Sequence, residues 1–214
     1  MRPCVEPLTD PGRPYFTTFV EGRRGEILDA ALAVFAEKGY DGGTMREIAA
    51  RVGVTEPALY RHYAGKEALL LDLVATAGRH VTSAAQSRLG VPRPEELRAA
   101  LEQLLIFRRH GASDNKAVMQ TLMDAAPHNE KLRTAFREAF GEPMVRNVAS
   151  FIRGVDEGFG LVRTPKEFEG RVRAMMSVFI GYFMTSMFFD EPGDDDDIID
   201  AMLAIMGWDE ELTC

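Results

Sequence analysis

The sequence predicts an all-α chain, and three features carry that prediction. From residue 20 onward, apolar residues recur at helical spacing in almost every segment; no segment sustains the period-two alternation of a half-buried strand; and glycines, prolines and capping residues punctuate the chain at helix-length intervals. The predicted architecture is an N-terminal three-helix domain containing a helix-turn-helix, followed by a larger C-terminal helical bundle that dimerises. Residues 1–20 are expected as a flexible tail, 21–66 as the helix-turn-helix domain and 67–214 as the bundle.

In the first helix, expected over Gly22 to Lys38, Ile27, Leu28, Ala31, Leu32, Val34 and Phe35 fall on one face. Gly39 ends it, and Tyr40 suits the hydrophobic contact of a glycine C-cap. Thr44-Met-Arg-Glu47 is a capping-box pattern opening a short helix to Val52. Gly53 supplies a sharp turn, and Thr55 caps a second short helix whose Pro57 sits in the first turn, where no helical amide partner is lost. That helix is expected to reach Tyr63. A long helix opens at Gly65-Lys66-Glu67 and runs to Arg88, broken by Gly90-Val-Pro-Arg-Pro94. Further helices are expected near 95–110, 114–125, 129–157 with a kink at Gly141 and Pro143, 165–189 and 195–206.

The totals suit a folded globular protein: 214 residues, 46% hydrophobic and 27% charged. Cys4 and Cys214 lack both the spacing of a zinc site and the density of a disulfide scaffold, which fits a reducing cytoplasm. Proline-rich residues 1–16 do not resemble a signal peptide, and no apolar run reaches membrane-spanning length, so no membrane association is expected. The net charge of −8 lies wholly in residues 67–214; residues 1–66 hold nine basic and nine acidic side chains. A neutral module still binds DNA if its cations share a face. Asp194 to Asp197 reads as a helix N-terminus rather than a metal site, and no metal spacing, cofactor motif, nucleophile–base pair or phosphate loop is present.

Functional information concentrates in Thr44 to Tyr63. Ile48, Ala49, Val52, Val54 and Leu59 form an apolar skeleton around Gly53, with Ala49 small where two helices cross. What remains outward is a short helix able to enter a major groove. The strings Thr44-Met-Arg-Glu-Ile-Ala, Val52-Gly-Val, Ala58-Leu-Tyr-Arg-His-Tyr and Gly65-Lys-Glu-Ala-Leu resemble the TetR/AcrR transcription regulators over Arg24 to Leu73. Departures are Glu56, an acid at the start of the second short helix, and Gly65 where a stronger cap is common.

The resemblance implies a regulator of transcription, most simply a repressor released from a palindromic operator in double-stranded DNA by a small apolar or aromatic effector. It implies phosphate contacts from Thr44, Tyr60, His62 and Lys66. Base or adjacent backbone contacts are implied for Arg46, Thr55, Glu56, Ala58 and Arg61, with the arginines able to pair bidentately with guanine and Glu56 able to accept from cytosine. Methionines and aromatics clustered after residue 100 suggest an effector pocket among Phe107, Met119, Met123, Phe140, Met144, Phe151, Met176, Phe179 and Phe183. Small residues between large apolar ones in 171–189 suggest close helix packing. With the final helix, this places a homodimer interface at Met175, Val178, Tyr182, Ser186, Phe189, Ile198, Met202 and Ile205. The alternatives are a DNA-binding protein of this kind without small-molecule control, acting as activator or architectural factor, and an enzyme built on the helical body.

Overall fold

The computed structural model describes residues 15–88, 92–114, 129–188 and 195–208, with the side chains of 84–88, 94, 106–114 and 186–188 left aside. Among them are nine α-helices and no strand: α1 (Arg23–Gly42), α2 (Met45–Val52), α3 (Glu56–Tyr60), α4 (Lys66–Arg88), α5 (Leu97–Asp114), α6 (Glu130–Phe136), α7 (Glu142–Gly158), α8 (Pro165–Phe188) and α9 (Asp195–Met206). A π-helical turn, Arg137–Gly141, joins α6 to α7. None of these helices is long and apolar enough to cross a membrane. The helix expected at 114–125 lies outside the described residues.

The chain clusters into two compact units, the first of residues 1–81 and 114–142, the second of 82–113 and 143–214. The boundary expected at 66/67 therefore falls inside the first unit, near the start of α4.

In the first unit, Ile27, Leu28, Ala31 and Phe35 of α1, Ile48 and Ala49 of α2, Leu59 of α3 and Leu69, Leu70, Leu73 and Val74 of α4 close one core. Full burial of a leucine or isoleucine side chain contributes about 1.5–3 kcal/mol, so this skeleton dominates the local stability. Helical φ/ψ break at Gly39 within α1, and Tyr40 packs edge-on against Phe35 as expected for that cap. Leu132 of α6 and Phe140 of the π turn enter the same core. They arrive because α4 presents Gly78: a Cβ there would lie 2.6 Å from the Ala139 Cβ and 2.7 Å from its carbonyl oxygen. Asn129 caps α6 and, with Lys131, holds the Glu67 carboxylate at the start of α4.

Residues 15–20, expected as the end of a loose tail, are instead docked. Phe16–Thr18 forms a 3-10 turn whose Phe16 and Thr17 amides donate to the Asp29 carboxylate at 2.6 and 3.0 Å, while Phe16 is fully buried. The Phe19 ring stacks on His80 of α4 at 3.7 Å.

In the second unit, Leu101 and Leu105 of α5, Phe151, Ile152 and Val155 of α7, Met175 and Phe179 of α8, and Ile199, Met202 and Met206 of α9 form a separate core closed by Trp208. Its polar centre is the buried Asp156 carboxylate, which accepts from Arg163 Nε at 2.6 Å, Arg163 Nη2 at 2.7 Å and Trp208 Nε1 at 2.8 Å. Arg163 Nη2 also donates to the Met206 carbonyl. A capping box between Thr164 and Glu167, with Pro165 at the first helical position, starts α8.

Candidate nucleic-acid interface

The segment from Thr44 to Tyr63 folds as its local chemistry dictates. The Glu47 amide donates to Thr44 Oγ1 at 3.3 Å and the Thr44 amide to Glu47 Oε2 at 3.1 Å, closing the capping box. Gly53 takes φ +77°, a left-handed value that a side chain would strain, and so reverses the chain between α2 and α3. Thr55 accepts from the Ala58 amide at 3.3 Å and Pro57 occupies the first turn of α3. Leu59, fully buried, pins α3 to the core. The helix is shorter than the sequence suggests, ending at Tyr60; Arg61 and His62 then continue in a turn whose amides reach the Ala58 and Leu59 carbonyls.

This leaves consecutive exposed side chains at the end of α3: Tyr60, 48% exposed, then Arg61 and His62. Thr44, Arg46 and Thr55 are also exposed, while Glu56 and Ala58 are half-buried on α3.

Charge pairing separates these residues from the rest of the unit. Arg23 pairs with Glu26, Arg24 with Asp72, Lys38 with Glu47, Arg51 with Glu37, Lys131 with Glu67, Arg133 with Glu130 and Arg137 with Glu142. Arg79 donates to Thr76. Among the described residues of this unit, Arg46 and Arg61 are the arginines without any such partner, and both lie on the helix-turn-helix. Glu56 is likewise unpaired.

Lys66 requires a correction. Its ammonium donates to the carbonyls of Tyr40 at 2.7 Å, Asp41 at 3.1 Å and Gly43 at 3.0 Å, and lies 4.5 Å from the Tyr40 ring centroid. With every N–H committed, it serves here to neutralise the carbonyl-rich end of α1 rather than to offer a donor to phosphate.

The sequence did not disclose the network behind α3. The Tyr63 hydroxyl donates to Asp72 Oδ2 at 2.7 Å, and Arg24 donates to the same carboxylate through Nε at 3.0 Å and Nη2 at 2.5 Å. Asp72 interrupts the apolar run Leu69-Leu70-Leu71-Asp72-Leu73, and that interruption was the available signal.

The residues expected to line an effector pocket do not converge on one described cavity. Met119, Met123 and the Phe107 side chain lie outside the described residues. Phe140 belongs to the first unit's core and stacks on Phe136 at 5.1 Å. Phe151 and Phe179 are closed core residues of the second unit, Met176 packs against that core, and Met144 and Phe183 are half-buried. A cleft of about 280 Å³ in the second unit is polar instead, lined by Thr82, Pro143, Arg146, Asn147 and Ser150.

The expected dimer face also needs correction. Met175 and Met202 are 0% exposed and Tyr182 is buried, its hydroxyl donating to Asp195 at 2.6 Å; all three face their own chain's core. Val178 and Ile198 pack partly against it. Ile205 is 41% exposed, and the Ser186 side chain and Phe189 lie outside the described residues. The outward stripe is one step around each helix: Ser177, Ile180 and Gly181 on α8, and Ala201, Ala204 and Ile205 on α9.

Comparison with known proteins matches residues 27–73 to the family model for bacterial regulatory proteins of the tetR family. The HTH-type transcriptional activator FasR of Mycolicibacterium smegmatis is 35% identical over 103 residues, 46% of each chain. The HTH-type transcriptional repressor KstR2 of Mycobacterium tuberculosis is 44% identical over 55 residues, 26% of this chain and 28% of its own. The match thus spans less than half the length of either of these two relatives. Among solved structures, the transcriptional regulator FadR of Bacillus subtilis, in complex with stearoyl-CoA, shares the fold with a TM-score of 0.64 at 17% identity, covering 85% of this chain and 96% of its own. The matched segment spans the apolar skeleton, the capping box, the glycine turn and the unpaired arginines described above, and over these residues the chain is similar to the bacterial regulatory proteins of the tetR family.

Proposed function

We propose that this protein is a sequence-specific repressor that binds a palindromic operator as a homodimer and is released by a small effector. The observation that carries the reading is the pairing pattern: Arg46 and Arg61 stay unpaired on α2 and beside α3 while the other described cations of the unit are engaged. A guanidinium held in a protein ion pair must give up that partner to bind DNA, whereas these two are ready to meet guanine edges or phosphate. Thr44, Tyr60 and His62 are the phosphate contacts, and Thr55, Glu56 and Ala58 lie along the groove-facing turn. Glu56 accepts from a cytosine amine or disfavours other bases.

Two heads are needed to read successive half-sites about one helical turn apart. The outward stripe of Ile180, Gly181, Ala201, Ala204 and Ile205 supplies the self-complementary apolar face for pairing two copies, its small residues allowing close helix approach. Repression follows from occluding the promoter, as the name of KstR2 supports; the name of FasR supports activation as the second reading. FadR holding stearoyl-CoA supports control by an apolar small molecule, bound by the helical body. The protein acts in the cytoplasm, where bacterial DNA is found.

Selection from randomised duplex DNA tests this directly, with the best site titrated at several salt concentrations beside Arg61→Ala. An enriched palindrome, a steep fall of affinity with salt and a relaxed base preference in the variant are expected. No enriched sequence even at low salt overturns the proposal.

A further inference from the structure

We infer that Asp72 is a positioning residue for DNA reading, acting through the Tyr63 hydroxyl to fix the angle at which α3 and the Arg61–His62 turn leave the core. This rests on the reading of that segment as the DNA-contacting element. Asp72 gathers donors from three places in one unit: Tyr63 just beyond α3, Arg24 in the first turn of α1, and Thr76 one turn along α4. Thr76 is itself buried and receives Arg24 Nη2 at 2.8 Å and Arg79 Nη2 at 3.0 Å. The carboxylate is therefore anchored independently of Tyr63, and a fixed acceptor orients a donor.

Tyr63 is well placed to pass that orientation on. Its amide donates to the Leu59 carbonyl at 3.1 Å, closing the last turn after α3, and it follows Arg61 and His62 directly. Leu59 fixes the depth of α3 in the core, yet an apolar anchor leaves rotation about the contact soft. A directional hydrogen bond at the far end removes that freedom. Burial and the Asp72 carboxylate both hold the Tyr63 hydroxyl protonated, so it remains a donor at every physiological pH. Burial opposes ionisation of Asp72, but Arg24, Tyr63 and Thr76 together keep its carboxyl below the ordinary range.

Tyr63→Phe removes the hydroxyl and leaves the ring, so it isolates the aiming contact. With the selected operator, Tyr63→Phe is expected to weaken binding about tenfold while binding to random duplex changes by less than about twofold. A double-mutant cycle with Arg61→Ala supplies the decisive readout: if Tyr63 acts by aiming Arg61, the hydroxyl loses most of its effect once Arg61 is gone, and the second loss shrinks to about twofold. Leu132→Ala, a core truncation in the same unit outside this network, separates stability from aim; it should lower the thermal midpoint yet keep the wild-type base preference. Additive losses in the cycle, or losses of preference that simply follow the thermal midpoint in both variants, overturn the inference. A wild-type protein that selects no sequence overturns this inference together with the proposed function, whereas additivity in a protein that does select one overturns this inference alone.

Discussion

Replacing Asp156 with alanine is expected to destabilise the protein by about 4 kcal/mol. The Asp156 side chain is 7% exposed and that of Arg163 12%, so the pair is nearly out of water and forked, with both Arg163 nitrogens on the carboxylate. Removing one partner of such a pair costs about 3–5 kcal/mol because the other charge stays buried without compensation. Trp208 Nε1 loses its acceptor as well, a penalty of about 1–3 kcal/mol that overlaps the first rather than adding to it. For a chain of this size each kcal/mol moves the midpoint by about 2–4 °C, giving a fall of about 10 °C in a circular-dichroism melt. The double variant Asp156→Leu with Arg163→Met should recover a substantial part, since it removes both charges and keeps the volume. A midpoint for Asp156→Ala within about 2 °C of wild type would refute the reasoning, because it would mean that Arg163 finds solvent without cost.

Three further outcomes are expected. Ile180→Glu together with Ile205→Glu should convert a dimer to a monomer in sedimentation or size-exclusion measurements while helical content is retained; an unchanged oligomer would remove the α8–α9 stripe from the interface. Gly78→Ala should lower stability by about 1–3 kcal/mol although alanine is the better helix former by about 1 kcal/mol, because the new methyl group meets the Ala139 backbone; a raised thermal midpoint would show that the π turn yields freely. His80 is exposed at one edge, but desolvation of its ring, on which Phe19 stacks, holds the imidazole below its ordinary value of 6.5, so the unfolded chain binds that proton more readily and stability falls as pH drops below the ordinary value. The decline of the midpoint between about pH 7 and pH 5.5 should therefore be shallower in His80→Gln, and equal slopes would dismiss His80 as a contributor.

Elements whose ends are set by local chemistry were readable from sequence. Thr44 with Glu47, Gly53, and Thr55 with Pro57 each fix a boundary through their own backbone, and all hold in the structure. What escaped was non-local. Asp29 receives the amides of residues a dozen positions earlier, so residues 15–20 read as tail when composition alone was weighed. The kink expected at Gly141 and Pro143 is a π turn centred a few residues earlier, placed there by the approach of Gly78 to Ala139, which no local pattern encodes. Helical periodicity in α8 showed that one face is buried, but Met175 and Tyr182 were assigned to the wrong side of that division. A core stripe and an interface stripe on the same helix share one period, and composition does not separate them when both are apolar.

The same limit explains why a lysine and an arginine that both resemble DNA contacts by position alone turn out to differ. Lys66 and Arg61 stand five residues apart, both basic, both matching the family string. Lys66 lies where α1 ends, and the carbonyls of Tyr40, Asp41 and Gly43, left without helical donors, form a ready cation site that its long side chain reaches. Arg61, exposed in the turn after α3, has no such acceptor among the described residues, and the Asp72 carboxylate behind Tyr63 is held by Arg24, Tyr63 and Thr76.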